Sequence, residues 1–450
     1  MERKMTARVS VYPETESGII RRLNGGNLAP ALYANRRNYR DITEPFRELR
    51  LPCTRLHDAP LENPNMRLVD VNNIFPLFHA DPDDSRNYCF EQTDDYIANS
   101  LACGTQIIYR LGISIEHGKK RYYTAPPEND EKWAEICIRI IKHFNEGLWN
   151  GHYWNTRYWE IWNEPGNSDP DGLPKMWGGT EDEFNVFYCT VSRILKARFP
   201  HLMIGGPSHG LGNAEPGGPT EVFLKKCAAE HAPVDFYSWH CYSDSIAHYV
   251  NQVAPIRKKV DECGFPNAEL HLNEWHYFPM DWDRETSHDL EYHKFFYSAD
   301  GFKGLDSAAF LCAVFAGWQD TPLNMGNYYT VTCGSYGIFT QFTEPTKSYY
   351  GMKAFGILAS ECGNRFRAVA EAPVYALGGM AGNGKKMLLV SCFKPERQKV
   401  ELVFDRKILN PKLLLIDEKH NLESVPVNPR GNRMELPFEG SSAVFLLEFM

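Results

Sequence analysis

Along the chain, short apolar, β-branched or aromatic runs alternate with longer stretches whose apolar residues recur every three or four positions. The clearest long stretch is 131–146, EKWAEICIRIIKHFNE. Trp133, Ile136, Cys137, Ile140, Ile141 and Phe144 fall on one continuous stripe there, so the spacing predicts an amphipathic helix. Residues 182–199 repeat the pattern, and further helices are expected at 37–48, 93–102, 219–231, 245–263, 288–303 and 347–360. Between them lie candidate strands at 21–28, 52–58, 104–112, 157–164, 201–208, 234–242, 268–275 and 306–315. Eight strands, each followed by a helix, predict a parallel (β/α)8 barrel. An open doubly wound sheet is the competing architecture, but no G-x-G-x-x-G follows the first strand; GGNLAP fits a tight loop equally well.

The pattern changes after about residue 361. Segments such as KKMLLVSCF, QKVELVFD and AVFLLEFM are short, often alternating, and split by Asn-Gly, Pro and charge. They predict a small all-β sandwich at 361–450 beside the barrel at 19–360. Near the start, Ala7, Val9 and Val11 alternate with Arg8, Ser10 and Tyr12, as in a half-buried strand. An all-β unit built from 361–450 alone leaves an open edge, so residues 6–12 are expected to pair with it, and 6–18 are grouped with that domain.

Composition narrows the function classes. Among 450 residues, 43% are hydrophobic and 23% charged, the proportions of a folded globular chain. A net charge of −9 without a long Lys/Arg run argues against nucleic acid and anionic membranes as partners. No apolar window reaches the ~18 residues of a membrane span, and the N-terminus lacks a signal-peptide core. The 12 cysteines contain no C-x-x-C and often sit in apolar runs, which suits reduced thiols and a cytoplasmic setting. Oligomeric state is left open, with a homo-oligomer among the options.

Two carboxylates end otherwise apolar strands: Glu164 in RYWEIWNEPGN and Glu274 in ELHLNEWHY. They fall at the ends of the fourth and seventh strands, which face each other across a barrel mouth, where the C-terminal strand ends build active sites. Two such carboxyls are what retaining glycoside hydrolysis requires, one protonating the leaving oxygen and the other attacking the anomeric carbon. Both follow Asn (Asn163 and Asn273), whose amide could hold a sugar hydroxyl. A lone Asn-Glu is ordinarily a solvated loop start; the pair in aromatic frames points to chemistry. His271, Glu274 and His276 are close in sequence, but alternation puts His271 on the opposite face, and no H-E-x-x-H occurs. No metal and no cofactor is therefore expected. A metal-dependent barrel hydrolase and a non-catalytic carbohydrate-binding protein stand as alternatives from other classes.

The run APPENDEKWAEICIRIIKHFNEG…RYWEIWNEPGN resembles family 39 glycoside hydrolases, the β-xylosidase family of the retaining (β/α)8 clan, and the resemblance covers most of residues 20–360. It implies a retaining, exo-acting β-glycosidase with an oligosaccharide or small glycoside as substrate. β-Galactosidase, arabinosidase and glucosidase specificities are the variants. By the same resemblance Glu164 is the general acid/base, Glu274 the nucleophile, and Asn163 the partner of the sugar 2-hydroxyl. Arg55-Leu56-His57 matches the family's Arg-x-His, placing Arg55 beside the nucleophile and His57 on sugar hydroxyls. His240-Cys241-Tyr242 matches its His-x-Tyr, with Tyr242 orienting Glu274, and Trp318 is expected as an apolar floor under the sugar. The long loop 58–90 has no counterpart in that resemblance and is expected to shape one wall of the pocket.

Overall fold

The computed structural model describes residues 6–30, 41–57, 67–116, 118–169, 171–280, 294–296, 298–299, 301–395, 399–437 and 441–450. Residues 37–40 and 288–293 of the expected helices, and residues 58–66 of the long loop, lie outside that description.

After a first strand, β1 (Thr6–Ile19), the chain enters a closed barrel. Its strands are β2 (Gly25–Asn27), β3 (Cys53–Leu56), β4 (Gln106–Leu111), β5 (Tyr158–Ile161), β6 (Met203–His209), β7 (Phe236–Ser243), β8 (Glu269–Tyr277) and β9 (Met325–Tyr328). Every neighbouring pair is parallel, and β2 closes on β9. Helices cover the outside. The helix Asp130–Glu146 starts at Asn129, whose side chain accepts from Lys132 N, and stops at Gly147 in the left-handed region, φ 71°. Its predicted stripe is buried. The helix Glu181–Arg198 begins with a reciprocal Thr180–Glu183 capping box. No helix among the described residues is long and apolar enough to cross a membrane.

One barrel element differs from expectation. Residues 306–315 are not the eighth strand but lie in a helix, Leu305–Trp318, and the strand is the inconspicuous β9. The helix is buried on nearly all sides, between the barrel, the helix Lys347–Glu361 and the second sheet. Burial all round removes the amphipathic period, so an apolar run of this kind looks the same as a buried strand. Trp318 moves with it. It is fully buried, donates from Nε1 to Tyr249 O at 3.0 Å, and packs edge-on against Trp275 at 4.8 Å. It therefore belongs to the packing between helix layer and barrel, and the expectation of a floor under the sugar is corrected.

The second domain is one hydrogen-bonded sheet of nine strands, containing β1 and β10 (Asn364–Val369), β11 (Val374–Met380), β12 (Lys386–Cys392), β13 (Lys399–Phe404), β14 (Lys412–Ile416), β15 (Asn421–Val425), β16 (Arg433–Leu436) and β17 (Ala443–Phe449). β1 lies inside it, antiparallel to β10 and parallel to β13. One face, with Val9, Val11, Leu388, Val390, Phe445 and Leu447, forms a core of its own. The other face, with Met387, Leu389, Val444 and Leu446, joins the main core beneath the helices. Alternation within a strand thus divides its side chains between two cores.

Candidate active site

Buried polar side chains from several barrel strands are organised around one cation. Arg55, in the middle of β3, is fully buried and directs all its N–H groups at acceptors. Nε donates to Glu160 Oε2 at 2.5 Å. Nη1 donates to Glu274 Oε1 at 2.9 Å and to Asn27 Oδ1 at 3.4 Å. Nη2 donates to Asn163 Oδ1 at 2.6 Å and Ser208 Oγ at 2.9 Å. Glu160 is equally buried, and its other oxygen accepts from Ser238 Oγ at 2.7 Å and Asn273 Nδ2 at 2.5 Å. A buried guanidinium needs compensating negative charge close by, and two carboxylates supply it.

Glu274 is held from several sides. Tyr242 donates its hydroxyl to Oε2 at 2.8 Å, His57 Nε2 lies 2.8 Å from Oε1, and His240 Nδ1 lies 3.4 Å from Oε2. Burial alone would push the pKa of this carboxyl up. His240, the Nε2–H of the neutral His57 and the Arg55 guanidinium outweigh it, so Glu274 is held well below the usual carboxylate range and stays ionised. Burial drives the Tyr242 hydroxyl well above its ordinary range, keeping it a donor. Bulges supply the aim. In β8 the pairing skips Asn273, since Leu272 opposes Trp239 while Glu274 opposes His240. The extra residue lets Asn273 and Glu274 both turn inward while Leu272 and Trp275 enter the apolar core. Asn273 is consequently spent on Glu160 and Ser208, with 1% of its surface exposed.

Glu164 follows β5 with the backbone in the left-handed region at φ 42°, and Trp162 before it is at 70°. Both are sterically costly for residues with a Cβ, and such conformations persist where the surroundings fix them. Here Glu164 N donates to Ser208 O at 2.9 Å and Trp162 N to Leu111 O at 2.7 Å. The carboxylate of Glu164 meets His240 Nδ1 at 2.6 Å and accepts from Asn167 Nδ2 at 2.5 Å. One ligand-capable atom from each of Glu164, His240 and Glu274 lies within 4.8 Å of the others. Arg55, His57, Asn163, Glu164, His240, Tyr242 and Glu274 are thus brought together, and Trp318 is not.

Several members of the constellation have no warning in the sequence reading: Glu160, Asn27, Ser208 and Ser238. A carboxylate inside an apolar parallel strand, as in WEIW, was the available signal, because it needs a buried cation. Arg110 also faces inward, donating to the His57 carbonyl and at 2.8 Å to Asp70, which is buried in the loop after β3. That pair ties the loop to the strand end carrying His57. Beside Tyr242 stands an aromatic cluster of Phe278, Phe296, Phe302, Tyr329 and Tyr336.

Buried neutral histidines give the barrel an acid limit. Burial is the first cause pushing His57, His209 and His276 from 6.5 down to about 3, with Arg55 adding to it at His57. The unfolded chain binds these protons below about 6.5 and the native state does not until about 3. Stability is therefore fully present above 6.5 and lost as pH falls through that window. Three such groups predict a loss of about 4 kcal/mol between pH 7 and 5.5, at roughly 1.4 kcal/mol per unit each. Urea unfolding at the two pH values checks this; an unchanged midpoint contradicts it.

Comparison with known proteins places the fold and part of the sequence beside one family. The sequence model of Glycosyl hydrolases family 39 matches residues 62–277. A β-xylosidase of Geobacillus stearothermophilus is 25% identical over 218 residues, 44% of this chain and 40% of that protein's length. Among solved structures, a glucosidase from Croceicoccus marinus superposes with a TM-score of 0.81 at 20% identity, covering 99% of both chains. The GH39 enzyme of Xanthomonas axonopodis pv. citri gives 0.71 at 15% identity, covering 99% of this chain and 98% of that one. In sequence over its central barrel and in fold over its whole length, this chain resembles the family 39 glycosyl hydrolases, a group of retaining (β/α)8-barrel glycosidases.

Proposed function

We propose that the protein is a retaining glycoside hydrolase, exo-acting on β-linked glycosides and β-xylosidase-like in specificity. The observation that carries this reading is the pair of carboxylates, Glu164 and Glu274, with oxygens within 4.8 Å across the barrel mouth. Retaining enzymes hold the two carboxyls about 5–5.5 Å apart, whereas inverting enzymes need about 6.5–9.5 Å to admit a water.

In the first step Glu274 Oε attacks the anomeric carbon while Glu164 gives its proton to the departing glycosidic oxygen. That bond breaks, and a glycosyl ester forms on Glu274. In the second step Glu164 takes a proton from water, the water oxygen attacks the same carbon, and Glu274 leaves as carboxylate. Arg55 and Tyr242 keep Glu274 ionised and aimed. His240 contacts both carboxylates and holds Glu164 toward the scissile bond. Asn163, whose carbonyl oxygen is fixed by Arg55, keeps its amide N–H for the 2-hydroxyl. His57 Nδ1 and His240 Nε2 are buried without a partner, a cost that sugar hydroxyls would relieve. The apolar sugar face falls to Tyr329 and its neighbours instead of Trp318.

A metal-dependent hydrolase using Glu164, His240 and Glu274 as ligands fits the donor chemistry less well. The Glu274 oxygens already take up Arg55 and Tyr242, and a divalent cation there would sit against the guanidinium.

The test is hydrolysis of a panel of aryl β-glycosides, with the first-formed anomer read by proton NMR. Turnover is expected to be highest on the β-xyloside, with the β-anomer appearing first. An α-anomer formed first would overturn the retaining mechanism, and failure to cleave any member would overturn the hydrolase. Preference for a galactoside, arabinoside or glucoside would replace the sugar and leave the mechanism standing.

A further inference from the structure

In the helix layer outside the barrel, three side chains from three segments converge. Asp94 is in the first turn of the helix Glu91–Ala102, His143 in the last turn of the helix Asp130–Glu146, and His152 in the loop that follows. Nε2 of His143 is 2.9 Å from Asp94 Oδ1, and Nε2 of His152 is 3.3 Å from that same oxygen. One donor atom from each residue lies within 4.8 Å of the other two.

Proton accounting makes this cluster unusual. His143 Nδ1 faces Leu148 O at 2.9 Å, and a carbonyl can only accept, so Nδ1 carries the hydrogen. A neutral His143 then turns its Nε2 lone pair on a carboxylate oxygen, which is repulsive unless a positive centre is shared between them. His152 Nε2 is buried, makes no hydrogen bond, and points at the same oxygen. A bound cation would take up all three lone pairs. An Nδ1–H fixed on a carbonyl with Nε2 left as donor is also how metal-bound histidines are oriented.

The rings are already locked. Phe90 stacks on His143 with centroids 3.6 Å apart, and Trp154 stacks on His152 at 3.7 Å. The loop backbone is pinned to the helix end, His152 N donating to His143 O at 2.6 Å and Trp154 N to Phe144 O at 2.9 Å. Two imidazoles and a carboxylate form a borderline nitrogen–oxygen set that suits zinc. Tetrahedral bonds of about 2.0–2.1 Å put ligand atoms roughly 3.3 Å apart; the two nitrogen–oxygen distances, 2.9 and 3.3 Å, are near that value, and all three atoms lie within 4.8 Å. The side chains of Asp94 and His152 are 23% and 31% exposed, leaving an approach from solvent and room for a water ligand.

We propose that Asp94, His143 and His152 form a binding site for one divalent transition-metal ion, zinc by its donor set. The ion staples two barrel helices to the loop leading into β5, the strand that carries Glu160 and precedes Glu164.

The untagged full-length chain, freed of metal with a chelator and dialysed, is titrated with zinc chloride by calorimetry beside Asp94→Asn and His152→Gln. Wild type is expected to bind one equivalent more than either variant, and zinc is expected to raise its melting temperature by several degrees but not theirs. Cobalt(II) supplies a readout independent of stability. Its d–d absorption in the wild type should survive Glu164→Gln, which breaks the other histidine–carboxylate cluster, and disappear in His152→Gln. Equal zinc stoichiometry in all three proteins, melting indifferent to zinc, or cobalt bands lost only in Glu164→Gln would overturn the proposal, leaving a plain imidazolium–carboxylate contact.

Discussion

Replacing Glu274 with glutamine is expected to stop turnover of every glycoside, by about 10⁴-fold or more, because both chemical steps pass through its carboxylate. Shape is nearly conserved and Tyr242 retains an acceptor, so folding should be little changed while the nucleophile is gone. Glu164→Ala should behave differently. Loss of acid catalysis costs about 10²–10⁴-fold on substrates with poor leaving groups. A dinitrophenyl glycoside leaves without protonation, so its first step should stay close to wild type and the glycosyl-enzyme should accumulate as a burst. Azide, which needs no general base, should restore turnover and yield a β-glycosyl azide in Glu164→Ala alone. Pre-steady-state kinetics on activated and unactivated substrates decides the matter. Identical losses in both variants on both substrates would contradict the assignment of roles.

Arg55→Met is expected to be the most destabilising single substitution in the site. The guanidinium is fully buried between Glu160 and Glu274, and removing it strands two carboxylates without a cation. Breaking a buried pair from one side costs about 3–5 kcal/mol, mostly the penalty of the charge left behind. Adding Glu160→Gln removes one stranded charge while its neighbours Ser238 and Asn273 can still donate to the amide oxygen. The double variant should therefore recover a good part of the stability. It should not recover activity, because Glu274 still lacks the cation that keeps it ionised and aimed. Denaturant midpoints read with turnover on an activated glycoside separate the two effects. A double variant no more stable than Arg55→Met would show that Glu160 does not act as the counter-charge.

The constellation proposed for catalysis divides between what could be read along the chain and what could not. Glu164 and Glu274 were legible because a carboxylate closing an apolar strand has no reason to be there for packing. Arg55, His57, His240 and Tyr242 were legible only through resemblance, since one polar residue at a strand end has many ordinary explanations. Glu160, four residues before Glu164, was hidden in plain view. Its meaning depends on Arg55, 105 residues away, being inside the same barrel. Trp318 went wrong with its element. A helix buried on all sides shows no polar face, and β9 carries Met-Gly-Asn-Tyr, too short and mixed to declare itself a strand.

The alternation of strands and helices, the parallel barrel it implies, the change to an all-β region and the two strand-end carboxylates are all legible along the chain. Those features live in local spacing: the period of two or near four that lets an element hide one face. Folding alone settles whatever depends on atoms distant in the chain meeting at bonding distance. The bulge that turns Asn273 and Glu274 inward together is one case. The sharing of Arg55 between a buried counter-charge and the nucleophile is another. The meeting of Asp94, His143 and His152 on one oxygen is a third. Barrel closure sets these contacts, because it fixes which strands are neighbours and how far each is staggered, and periodicity along one segment carries no record of either.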